Sequence, residues 1–153
     1  MLRVFLNYWL PPLAWMAVIF TASSDAKSYE HSSLLVEPLL RWLFPHMTQA
    51  HIEAIHHGFR KCGHLAEYSV LALLLWRAAR PLAGSDSRLW SWRRAWMILC
   101  VVFLYAASDE FHQRFVPTRT SLVSDVFIDT GGAAVGLMAL WIFQSYRRPR
   151  PGS

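Results

Sequence analysis

The sequence predicts an all-α fold, an integral membrane bundle of four transmembrane helices with short interfacial helices in the first external loop. Three observations predict it. Of the 153 residues, 54% belong to the apolar and aromatic set and only 16% are charged, where a soluble domain carries about 25% charged. Eight Trp, nine Phe and five Tyr suit a chain that crosses the boundary between hydrocarbon and headgroups, where amphipathic rings collect. Four spans of ~20 residues use about 80 positions, roughly half the chain. One membrane domain over residues 1–146, followed by a basic, disordered cytoplasmic tail over 147–153, therefore accounts for the length. The net charge of +5 does not point to a nucleic-acid partner. The basic residues flank apolar runs instead of forming one tract, which suits topology and anionic membrane lipids.

The first span runs from about Val4 to Thr21 and stops at Ser23, Ser24 and Asp25. Pro11 and Pro12 should kink it or move its regular part to start near Pro12, because proline lacks the amide hydrogen and crowds the preceding turn. A signal-peptide reading is disfavoured, since a cut after Ala22 would place bulky Phe20 where a small residue is wanted. Between Asp25 and Phe59, the apolar stretch Leu34 to Phe44, interrupted by Pro38, and a short helix capped by Thr48 and running through Phe59 are read as helices on the outer interface. The second span is Arg60 to Ala79, polar in its first third; the third is Ala95 to about Phe111; the fourth is about Leu122 to Phe143. In the fourth, Gly131, Gly132 and Gly136 allow close approach of a neighbouring helix. Cys62 and Cys100 fall at different depths, so no bridge between them is expected.

Positive charge orients the bundle. With both termini cytoplasmic, the internal segments hold Arg3, Arg77, Arg80, Arg88, Arg93, Arg94, Arg147, Arg148 and Arg150, nine residues, against six outside: Lys27, Arg41, Arg60, Lys61, Arg114 and Arg119. The polar residues within the spans then gather at the outer end. Ser23, Ser24 and Asp25 close the first span; Lys61, His64, Glu67 and Tyr68 open the second. Ser108, Asp109, Glu110, His112 and Gln113 close the third; Asp125 and Asp129 open the fourth. Helical spacing puts Lys61, His64 and Tyr68 on one stripe, with Glu67 beside it, and Asp125 and Asp129 on one face.

Ionisable groups in a bilayer cost about 2.5–3.5 kcal/mol each near its centre, so they are paired or face a wet cavity. Two explanations stand side by side. In one, Lys61 and Arg119 neutralise Glu67, Asp109, Asp125 and Asp129 in a structural network; in the other, the layer is a polar pocket open to the outside. His64, Glu67, Glu110, His112, Asp125 and Asp129 are suitable types for zinc or magnesium. Their spacing is not diagnostic, and neither a metal nor a cofactor is assigned. Glu67 or Glu110 with His64 or His112 would suit general acid–base chemistry. A nucleophilic serine among Ser23, Ser24, Ser108 and Ser124 lacks the Gly-x-Ser-x-Gly turn. His31, His46, His51, His56 and His57 are read as solvated or interfacial.

Taken in order, Lys61-x-x-His64-x-x-x-Tyr68, the run Ser108-Asp-Glu-Phe-His-Gln-Arg-Phe-Val-Pro-Thr-Arg119, and Asp125-x-x-x-Asp129-x-x-Gly132-x-x-x-Gly136 resemble the VanZ-like family of bacterial membrane proteins. The resemblance covers the chain from the end of the first span to the fourth. It marks Lys61, His64, Tyr68, Asp109, Glu110, Gln113, Phe115, Pro117, Arg119, Asp125, Asp129, Gly132 and Gly136 as recurring positions. Thr118 stands where the family pattern favours Gly, and Asp129 where Asn is common. The family takes its name from a protein associated with resistance to teicoplanin, a lipoglycopeptide that acts on cell-wall precursors outside the membrane. The resemblance therefore implies a multi-pass protein of the bacterial cytoplasmic membrane, with a lipid-linked cell-wall precursor or a glycopeptide as its partner.

Three function classes follow. A protein that binds an anionic envelope lipid would depend on Lys61 and Arg119, with His64, Tyr68, Asp109, Gln113 and Asp129 lining the site. An intramembrane hydrolase or transferase would depend on Glu67, Glu110, His112 and Asp125. In a scaffold or partner subunit, changes to any of these would lower abundance together. A carrier is disfavoured because the polar groups gather at one surface and not at the midplane.

Overall fold

The computed structural model describes residues 2–24, 28–82, 90–116 and 122–147, and among them every regular element is helical. A short helix α1 (Leu2–Val4) leads through a π segment (Phe5–Trp9) into α2 (Leu10–Ser24). Next come α3 (Ser28–Leu43), α4 (Gln49–Ala78), a single 3₁₀ turn (Arg80–Leu82), α5 (Trp92–Gln113) and α6 (Val123–Tyr146). Among the described residues, three segments are long and apolar enough to cross a membrane: Leu2–Ser23, Trp92–Gln113 and Val123–Tyr146. The chain is thus a multi-pass helical membrane bundle. Its outward surface fits this, with Leu13, Val18, Met97, Leu104, Val135 and Met138 all exposed, a density of apolar side chains that only lipid would cover.

The expected fourth span, Arg60 to Ala79, falls short of the other three in apolarity, and its position explains why. It is the second half of α4, which packs against α2, α5 and α6 and buries Tyr68, Leu71, Ala72 and Trp76 completely or nearly so. A helix walled by protein needs no apolar coat on every side. The first half corrects the sequence reading: the helix that starts after Thr48 does not end at Phe59 but continues unbroken to Ala78. No proline interrupts residues 49–78, and a glycine such as Gly58 or Gly63 costs a helix only about 1 kcal/mol. Thr48 precedes the helix without capping it, because its hydroxyl engages His51 Nδ1 at 2.6 Å. Arg41 ties α3 to α4, bonding Glu37 at 2.8 Å and Gln49 at 2.6 Å.

At the N-terminus the prolines widen the helix instead of ending it. The Leu10 amide donates to Phe5 O, five residues back. This π geometry just ahead of Pro11 and Pro12 gives room to turns that proline rings would otherwise crowd. Pro38 likewise sits inside α3.

Helices α4 and α6 run in the same direction and meet through small residues. A Cβ added at Gly132 would lie 2.5 Å from Leu65 O, and one at Gly136 would lie 2.8 Å from Ser69 O, so only glycine allows this approach. Ser69 Oγ lies 2.6 Å from Gly132 O and 2.7 Å from Leu65 O, its proton shared across the helix contact. Gly131, grouped with these two from sequence, faces open space. Trp15 Nε1 donates to Glu67 O at 2.9 Å, and Tyr105 Oη donates to Met16 O at 2.6 Å. These bonds fix α2 on the opposite side of α4 and α5. Interhelical packing and bonds of this kind, averaging about 0.6 kcal/mol each, hold helices together in lipid, where burial of apolar surface brings no gain.

The two ends of the bundle differ sharply. One end is aromatic: Trp76 stacks on Trp90 at 4.6 Å, Trp90 meets Trp92 edge-on at 5.3 Å, Trp92 approaches Trp141, and Arg94 covers the Trp76 ring. The other end carries the carboxylates. Cys62 and Cys100 are both free thiols.

Candidate functional site

At the carboxylate end, directly beyond the Leu65–Gly132 contact, α4, α5 and α6 enclose a polar cavity of about 110 Å³. Its α4 wall is basic, with His57, Arg60, Lys61 and His64; the facing wall has Glu110 and Gln113 from α5 and Asp125 and Asp129 from α6, closed by Leu122 and Ile128. The spacing of the basic wall is that of one helix face: residues 57, 60, 61 and 64 recur at intervals of three and four. His64 Nδ1 stands 3.6 Å from Asp129 Oδ1 and begins the bridge between the walls.

The carboxylates are set at different depths. Asp129 and Asp109 are each 1% exposed and Glu110 5%, while Asp125 is half-buried at the rim. Glu110 Oε2 accepts the Leu122 amide at 3.2 Å, joining the end of α5 to the start of α6. Asp109 turns away from the cavity. Its Oδ2 accepts from Ser23 Oγ at 2.6 Å and from Gln113 Nε2 at 3.0 Å, so it fastens α2 to α5 and orients the amide that faces the cavity. Asp109 Oδ1, Asp129 Oδ1 and Tyr68 Oη have no hydrogen-bond partner among the described residues.

Of the residues singled out from sequence, Lys61, His64, Glu110, Gln113, Asp125 and Asp129 come together around the cavity. Tyr68 is fully buried behind it, its ring 6.1 Å from that of Tyr105. Glu67 and His112 lie on the α2 side: the Glu67 carbonyl accepts from Trp15, and the His112 ring packs at 4.5 Å against Phe20. Arg119 lies outside the described residues, as do Pro117, Thr118 and Asp25. Two cavity residues escaped the sequence reading, His57 and Arg60, and His56 is buried, not solvated. The signal was present one helical turn ahead of Lys61 and His64: the break placed at Phe59 separated His57 from that face, and Arg60, the first residue of the expected second span, was counted only as a charge that sets topology. Burial, with the positive charges of Arg60 and His57 adding to it, lowers the pKa of His56 below the ordinary imidazole value of 6.5.

Chemically, the basic wall suits a phosphate or carboxylate, with Arg60 offering a planar fork and Lys61 a point charge. The opposite wall accepts hydrogen bonds from hydroxyl or ammonium groups of the same molecule. Among the described residues, no three His, Cys, Asp or Glu side chains are arranged to hold a metal ion. The sequence model of the VanZ/LLP1 family matches residues 8–144. No curated protein and no solved structure matches the chain.

Proposed function

The chain belongs to the VanZ/LLP1 family, and on that premise we propose that it is a bacterial envelope protein whose outer cavity binds the anionic head of an envelope lipid or lipid-linked cell-wall precursor. In this reading the second half of α4 is a fourth crossing, both termini are cytoplasmic, and the carboxylate end faces outward. The observation that carries it is the basic wall of α4, where Arg60, Lys61 and His64 are half-buried and His57 stands exposed, all four lining one cavity opposite the carboxylates. The size narrows the ligand. A cavity of about 110 Å³ suits a phosphate-sized group, whereas sites for drug-sized molecules run to about 300–1,000 Å³. We therefore take the anionic head of a lipid, and not a whole glycopeptide, as the occupant, so that any link to glycopeptide resistance would run through the lipid.

The test is to purify the parent and the Arg60→Ala/Lys61→Ala double variant in mild detergent and identify co-purifying lipids by mass spectrometry. Phosphate-bearing lipids enriched in the parent over the bulk membrane extract, and lost from the variant, are the expected result. Equal lipid profiles in the two would sink the proposal.

A second reading, an intramembrane hydrolase or transferase on the same lipid, draws on the His64–Asp129 approach with Glu110 in the same cavity. These are groups of the type that relay protons. It predicts that Glu110→Gln keeps the co-purifying lipid but ends its turnover.

A further inference from the structure

A second hollow lies on the other side of Glu110. Phe103, Ala107 and Phe111 of α5 and Val123 and Phe127 of α6 border a largely apolar groove of about 250 Å³, and Glu110 forms part of both its lining and that of the polar cavity. Leu122 borders the cavity and the next residue, Val123, borders the groove. Phe111, Val123 and Phe127 are 59–67% exposed on helices apolar enough to cross a membrane, which suits a groove open to hydrocarbon. Arg114 stands at its rim, near the outer end of α5.

We infer that the groove between α5 and α6 holds the hydrocarbon chain of the lipid whose anionic head occupies the cavity, so that the ligand enters sideways from the bilayer past Glu110. This deepens the proposed function and rests on its reading of the cavity. An apolar groove that shares Glu110 with a polar cavity matches a molecule that is itself apolar at one end and charged at the other. A soluble anion would have no use for the groove, and a second copy of the chain would have no use for the cavity. Ala107, small and half-buried at the groove, leaves the space that the chain fills.

The test uses full-length protein in phosphatidylcholine nanodiscs and a dodecyl phosphate with a diazirine in its chain. A dodecyl trimethylammonium with the same diazirine serves as the control, and binding of inorganic phosphate is followed separately by thermal shift. After photolysis the phosphate probe should label Phe103, Ala107 and Phe127 about tenfold more than the ammonium probe, a preference worth about 1.4 kcal/mol. Lys61→Ala should bring groove labelling down to the level of the control. Val123→Trp alters an exposed groove residue and should cut the labelling while leaving the response to inorganic phosphate intact; Ala107→Phe should do the same from the other helix. Equal labelling by the two probes would show ordinary boundary lipid and overturn the inference. Inorganic phosphate binding without groove labelling would overturn it while sparing the cavity. Loss of phosphate binding in the parent would bring down the cavity and the groove together. A dimer dissociated by Val123→Trp would assign the groove to a second copy and overturn the inference as well.

Discussion

Asp109 and Asp125 have similar chemistry and opposite duties. Asp109 is buried and accepts from Ser23 and Gln113, so Asp109→Ala strands two donors between helices. Unsatisfied buried groups cost about 1–3 kcal/mol each, and the variant should show a lower unfolding temperature in detergent and a lower membrane yield. Asp125→Asn, half-buried at the cavity rim, should leave both within error of the parent. His56 adds a pH dependence. Its pKa is lowered in the fold, so in mild acid the unfolded chain binds more protons than the folded one. The associated stability is fully present above pH 6.5, the ordinary imidazole value, and is lost as pH falls from there through the lowered folded pKa. His56→Gln should flatten that part of the unfolding-temperature profile; an unchanged profile would contradict the assignment. From sequence alone Asp109 was placed in the binding site and Asp125 among the catalytic candidates, but their depths could not be told apart, because a carboxylate's depth depends on which helix covers it, and the partner of Asp109, Ser23, lies 86 positions away.

At the scale of the helix, glycine placement decides how closely α4 and α6 approach. Gly132→Ala puts a methyl against the backbone of Leu65, which cannot move aside, and overpacking of this kind costs about 1–3 kcal/mol. Gly131→Ala meets nothing within 4 Å and gains helix propensity of about 1 kcal/mol. Thermal unfolding of the two variants should therefore move in opposite directions from the parent. The glycine run and its role in close packing were legible in the sequence, but separating Gly131 from Gly132 required knowing which face α4 occupies. The apolar cores of α2, α5 and α6 were legible for a simpler reason: a helix that touches lipid must be apolar nearly all round. The same rule misjudged α4. Its turns from His57 to His64 are polar because they line a cavity, and ending an interfacial helix at Phe59 and starting a span at Arg60 cut one helix into two and separated His57 from Lys61 and His64.

Across the whole molecule, the proposed topology rests on the distribution of arginine, and two native thiols can check it. Cys62, exposed beside Lys61 near the carboxylate end, and Cys100, exposed in the middle of α5, sit at different depths of the proposed bundle. A membrane-impermeant maleimide applied to intact spheroplasts should label Cys62 and spare Cys100. Labelling of Cys62 only in inside-out vesicles would reverse the proposed orientation. The gathering of ionisable residues into one layer was legible once the spans were ordered, since α2 and α5 end where α4 and α6 place their polar turns. Which of them face one another was not, because Glu67 and His112 differ from Lys61 and Glu110 only in helical phase.

The measurement that bears most directly on the role of that layer compares Lys61→Ala with the parent in two readings on the same sample, dodecyl phosphate affinity and unfolding temperature. A cavity that binds anions predicts that affinity falls about tenfold, the equivalent of about 1.4 kcal/mol, while the unfolding temperature holds. A drop in unfolding temperature with affinity unchanged would mean that Lys61 serves to neutralise the carboxylates and hold the helices, and would contradict the binding role.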